Sequence, residues 1–167
     1  MNDAMNALVP VLDSAAELLP IAMDTPEARV MLLAIAGQES GCTARCQVIT
    51  GGARGPARGL WQMERMGGVF GVLGHDSSRY WAVATCQARG VKPDAQAAWE
   101  RMETDDVLAA CFARLLLFTD RARLPALGAE NPAWDYYKRN WRPGKPHPDR
   151  WPANFRAALA IVTGGNA

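Results

Sequence analysis

The stretch Thr25-Pro-Glu-Ala-Arg-Val-Met-Leu-Leu-Ala-Ile-Ala-Gly-Gln-Glu39-Ser-Gly41 decides how the rest of the chain is read. Thr25 can cap a helix. Pro26 suits the first helical position, where its missing N–H would have had no partner, and Glu27 favours the positive N-terminal end. Gly41 supplies the stop. Between Ala28 and Ala36 only Arg29 interrupts the apolar run, so the helix is greasy nearly all round and is expected to be buried. It ends on a lone carboxylate, Glu39.

Working outward, Ala7–Met23 reads as an amphipathic helix with Leu8, Leu12, Ala15, Leu18 and Leu19 on one side. Gly51, Gly52, Gly55, Pro56 and Gly59 mark an irregular or hairpin segment, with short strands expected around Gln47–Thr50 and Gly59–Met63. Ser77 or Ser78 opens a helix to Arg89, which Gly90 ends. Asp94–Met102 is a shorter helix. Thr104-Asp-Asp106 starts a strong one to about Thr119, Asn131-Pro132 another through Trp141, and the last covers Asn154–Val162. The expected fold is one mainly α domain over residues 1–167. At most a small β-hairpin element lies between its second and third helices.

A chain of 167 residues, 49% hydrophobic and 21% charged, can bury a core without metals or staples. The net charge of +1 gives no global pull toward nucleic acid or membranes. No run reaches the roughly 20 apolar residues of a bilayer span, and no secretory signal is visible. The expectation is cytoplasmic synthesis without stable membrane insertion. Cys42, Cys46, Cys86 and Cys111 read as reduced, mostly packed thiols, a Cys42–Cys46 bridge being the alternative. The Cys42–Cys46 spacing lacks the nearby His or second tight pair of a zinc site. Charge is uneven along the chain. From Lys138 to Arg156 six bases, Lys138, Arg139, Arg142, Lys145, Arg150 and Arg156, face only Asp149, which gives either a solvated face or a surface suited to an anionic polymer.

Glu39 is the leading candidate for chemistry. Apolar burial and the negative end of a helix both disfavour its ionised form. A carboxyl that keeps its proton near neutral pH can act as a general acid. A second carboxylate, Glu64, follows the block Gly59-Leu60-Trp61-Gln62. An acid, a helper carboxylate and a polar, aromatic wall are what cleavage of a glycosidic bond requires.

Glu39-Ser40-Gly41, a variable loop and Gly59-Leu60-Trp61-Gln62 together resemble the Glu-Ser … Gly-Leu-Met-Gln pair of the lysozyme-like superfamily. The nearest branches are soluble lytic transglycosylases and goose-type lysozymes, and many phage endolysins belong to the same group. The similarity covers Ala34 to Glu64, about a fifth of the chain. It implies a lysozyme-like domain in which Glu39 is the catalytic acid and Gln62 lines the cleft. Trp61 stands where Met is usual, which alters the cleft wall. Glu64 is similar to the acid that goose-type lysozymes carry two residues after the Gln and implies hydrolysis. Lytic transglycosylases manage without it, the sugar's own 6-hydroxyl attacking instead.

The resemblance places Ser40, Trp61, Gln62, Tyr137, Asn140 and Trp141 against the glycan, with Trp61 and Trp141 as stacking surfaces. In Trp134-Asp-Tyr-Tyr-Lys-Arg-Asn140-Trp-Arg-Pro-Gly144, Tyr136 and Asn140 share a helix face. Only one of the paired tyrosines can point inward, and Tyr137 is expected to bring its hydroxyl to Glu39. The activity implied is muramidase cleavage of the β-1,4 bond between N-acetylmuramic acid and N-acetylglucosamine, by a monomer with neither metal nor cofactor. Synthesis without a signal suits a phage endolysin released through a separate pore, or an enzyme carried in a virion. Four alternatives stay open: a lytic transglycosylase giving 1,6-anhydro-N-acetylmuramic acid, a chitinase-like enzyme, a non-catalytic glycan-binding or structural phage module, and a His75–Cys42 amidase or endopeptidase.

Overall fold

The computed structural model describes residues 2–165. The protein is mainly helical with a small three-stranded antiparallel sheet. In chain order the elements are α1 (Asn2–Asn6), α2 (Val9–Ala16), α3 (Pro26–Ser40), β1 (Cys46–Val48), β2 (Arg54–Arg58), β3 (Met63–Glu64), α4 (Phe70–Gly74), α5 (Arg79–Ala88), α6 (Ala95–Arg101), α7 (Asp106–Thr119), α8 (Glu130–Trp141) and α9 (Trp151–Thr163). Among the described residues no helix is long and apolar enough to cross a membrane.

Helix α3 forms the centre. The Thr25 hydroxyl accepts from the Ala28 N–H at 3.2 Å, and the helix ends on Gly41, whose N–H returns to the Gly37 carbonyl at 3.1 Å. Every residue from Val30 to Gln38 is buried. Its all-round apolar surface is covered chiefly by α9, with α7, α8 and α1 completing the enclosure. Gly37 sets the closeness of α9: a β-carbon there would lie 2.7 Å from Asn154 Oδ1 and 2.8 Å from Met5 Cε.

The leading helix is shorter than its periodicity suggests. The apolar positions Leu8, Leu12, Ala15 and Leu19 are buried as the amphipathic pattern requires, but α2 stops at Ala16 and a 3₁₀ turn covers Ile21–Met23. Pro20 explains the break: its ring would collide with the carbonyl of Ala16 and it has no N–H to bond there.

The sheet is a meander. Cys46 pairs with Arg58 and Val48 with Arg54 across an irregular register, and Ala57 pairs with Glu64. The second strand therefore precedes Gly59. Residues Gly59–Gln62, expected as strand, form the tight turn between β2 and β3, with Gly59 at φ 71° and Gln62 at φ 47°. A β-carbon on Gly59 would meet the Met102 carbonyl at 2.7 Å, so only glycine fits this corner.

Candidate active site

Glu39 is the penultimate residue of α3 and is largely buried at the edge of an open groove of about 1170 Å³. The end of α3, the turn before β3, the sheet, the α8 C-terminus and the 142–150 segment line that groove. Burial pushes the Glu39 carboxyl up to about 7. A hydrogen bond from the Tyr137 hydroxyl at 2.5 Å opposes that rise, and the charge of Glu64 adds to it. Burial likewise drives the Tyr137 hydroxyl upward, aided by Glu39, so it stays a donor.

The aromatic cluster of α8 and α9 holds Tyr137 in place. Its ring stacks on Trp151 at 5.1 Å and packs against Trp134 at 5.3 Å. Neighbouring helical residues point about 100° apart, so Tyr136 faces elsewhere and donates to the Leu117 carbonyl at 2.8 Å. Glu64 lines the same groove from β3. Arg58 turns to Glu103 and Arg65 to Gln96, and among the described residues no base forms an ion pair with Glu64.

Gln62 lines the groove with its amide nitrogen bonded to the carbonyls of Gly59 at 2.8 Å and Ala44 at 3.2 Å. Its carbonyl end remains for a ligand. Trp141 and Asn140 also line it. Both N–H groups of the Asn140 amide are committed, to Asp120 and to the Tyr136 carbonyl, and the Trp141 indole N–H bonds the Trp61 carbonyl.

Two expected glycan contacts are corrected. Trp61 is 0% exposed, and its indole N–H donates to the Leu32 carbonyl at 2.9 Å inside the core. The turn directs Leu60 and Trp61 inward and leaves Gln62 alone at the surface. Ser40 is not part of the groove lining: its hydroxyl is shared between the carbonyls of Leu60 (2.6 Å) and Ala36 (3.0 Å), latching the end of α3 to the turn. The amidase alternative loses support too. Burial pushes the Cys42 thiol up to about 11, the opposite of an activated nucleophile, and His75 is bonded to Ser77. All four cysteines are free thiols.

Sequence reasoning missed Gln38. It is 8% exposed, lines the groove beside Glu39, and donates from Nε2 to the carbonyls of Pro146 at 2.7 Å and His147 at 3.0 Å. Nothing local in the sequence marks it, because its partners lie more than a hundred residues away. Compared with known proteins, the chain matches no family model, no curated protein and no solved structure.

The raised carboxyl carries a stability cost with a definite pH window. Glu39 titrates near 4.5 when unfolded and near 7 when folded, so the folded state binds the proton more tightly between those values. Stability attributable to this group is complete below pH 4.5, falls as pH rises to 7, and is flat above. The shift corresponds to about 3 kcal/mol as an order of magnitude. Glu39→Gln keeps an acceptor for Tyr137 and removes the charge. It is expected to match the wild type in denaturant melts at pH 4 and to exceed it by about 1–3 kcal/mol at pH 8. Equal stability at both pH values would show that the carboxyl is not shifted.

Proposed function

We propose that the protein is a peptidoglycan-cleaving glycosidase, a muramidase acting on the β-1,4 bond between N-acetylmuramic acid and N-acetylglucosamine, with Glu39 as its general acid. The observation that carries this reading is a carboxyl raised to about 7, bonded to Tyr137, at the edge of an open groove of about 1170 Å³. Glu39 donates its proton to the glycosidic oxygen as the C1–O bond breaks. The carboxylate left behind accepts a stronger, charge-assisted bond from Tyr137, so this contact tightens as the proton departs. Glu64 draws a proton from the water that adds to the oxocarbenium-like carbon, and the sugar keeps a reducing hydroxyl. No step needs a metal or cofactor.

Hydrolysis is favoured over internal attack by the sugar's 6-hydroxyl because Glu64 lines the groove without an ion-pair partner among the described residues. Muropeptides released from purified sacculi are expected to carry reducing N-acetylmuramic acid when weighed by mass spectrometry. Products about one water lighter would overturn the role given to Glu64 and make the enzyme a lytic transglycosylase. No release of muropeptides at all would leave a binding module in its place.

A further inference from the structure

Two chemically contrasting groups of residues line the groove. On the sheet side Val48, Ile49, Met66 and Phe70 line it with their apolar side chains exposed, Val48 by 67% and Phe70 by 56%. On the side of the 142–150 segment stand Arg142, Lys145, His147 and Arg150, all exposed. Arg139 also lines this side, but Asp120 neutralises it at 2.7 Å. Among the described residues no carboxylate forms an ion pair with Arg142, Lys145 or Arg150. Asp149, the only acid in the segment, is not part of the lining.

This basic wall is fixed relative to Glu39. Gln38 Nε2 bonds two successive carbonyls of the segment, Pro146 and His147, and Asn154 Nδ2 donates to Gln38 Oε1 at 3.0 Å. Both amides are buried. Arg142 and His147 take left-handed backbone conformations, φ 50° and 49°, which bulky residues adopt only where surrounding contacts hold them. The anchor residue is the chain neighbour of Glu39. A ligand gripped by the segment is thus placed in register with the carboxyl.

Sugar rings offer apolar faces to the Val48–Phe70 side and have no charge for the other. The part of a peptidoglycan strand that does is its peptide stems, which carry free carboxylates unless amidated. We propose that the 142–150 segment is a carboxylate-reading wall: Arg142, Lys145 and Arg150 bind the free carboxylates of the stems, so the groove selects strands with acidic rather than amidated stems. The inference rests on the reading of the groove as a glycan site.

The test measures binding apart from cleavage. Insoluble sacculi with diaminopimelate-type stems, freed of protein and lipid, are divided, and one portion is amidated with carbodiimide and ammonium. Full-length protein is mixed with each on ice and sedimented at once, before strands are cut. The wild type is expected to bind untreated sacculi about tenfold more tightly, since three exposed ion pairs are gained. The preference should fade when salt rises from about 0.05 to about 0.3 M. Arg142→Gln/Lys145→Gln/Arg150→Gln changes only exposed side chains and should bind both portions alike, as the wild type binds the amidated one. Equal wild-type binding to both portions overturns the proposal without using the variant. A triple variant that melts like the wild type and keeps the preference overturns the assignment to this wall. Muropeptide release from untreated sacculi reads the enzyme separately. Release without preference sinks the stem reading and leaves the glycosidase, whereas preference without release does the reverse. Neither binding nor release sinks both.

Discussion

Glu39→Gln is expected to lower the rate of glycan cleavage by roughly 10²–10⁴-fold, the contribution of a positioned general acid. The glutamine keeps the volume of the side chain and an oxygen for Tyr137 to bond, so the main change in the groove is an amide in place of the acidic O–H. Two readouts separate this from general damage. The variant should be at least as stable as the wild type, because the charge it lacks is the one that burial opposes. Its residual rate should also be flat with pH. The wild-type rate, by contrast, should fall as pH rises through about 7 and Glu39 loses the proton it must donate. The measurement is initial clearing of permeabilised Gram-negative cells across pH 5–9, checked by muropeptide release. Clearing equal to the wild type would remove Glu39 as the acid. A variant inactive because it unfolds would show a lowered melting point, opposite to the expected shift.

If Glu39 is the general acid, function and stability pull apart at its carboxyl. A carboxyl placed for packing alone would gain from ionising beside Tyr137. Here the desolvation of the α3 end outweighs that bond, and the charge of Glu64 adds to the imbalance. The cost is met elsewhere in α3, whose residues from Val30 to Gln38 are buried against neighbouring helices. Stability surrendered at Glu39 is what keeps its proton available near neutral pH.

The helices were legible wherever a cap announced them. Thr25, Asp94 and Asp105 each accept from a backbone N–H three residues on, and each stands at the start read from the sequence. The mainly α fold with its small sheet follows from such local signals and from apolar periodicity. What stayed hidden depends on contacts across the chain. That Tyr137 reaches Glu39 could be inferred only through a family resemblance, because the two stand 98 residues apart. The bases of 138–156 were visible as a charge count. That those of the 142–150 segment line the groove beside Glu39 goes with the Gln38–Pro146 contact, which leaves no trace in residue spacing. The strand expected over Gly59–Met63 failed for a local reason: left-handed backbone at Gly59 and Gln62 turns the chain back on itself.

That turn leads to the second large expected effect. Trp61→Ala should destabilise the protein by about 3–5 kcal/mol, the usual cost of emptying a tryptophan-sized site in a core. For a domain of this size, that lowers the melting temperature by roughly 10 °C. Trp61 has no exposed surface, and its indole N–H is spent on the Leu32 carbonyl of α3. Its own carbonyl anchors Trp141, so the side chain also steadies the groove edge from behind. Tryptophan is ambiguous in sequence because a flat apolar ring with one N–H serves a sugar or a core equally well. The two roles differ in what they predict. A sugar platform at this position would raise KM and leave the melting temperature untouched. A core residue does the reverse: where the Trp61→Ala protein remains folded, at low temperature, KM should stay near the wild-type value while the melting point drops. A variant with unchanged melting and weakened glycan binding would return Trp61 to the groove and overturn the placement of the turn.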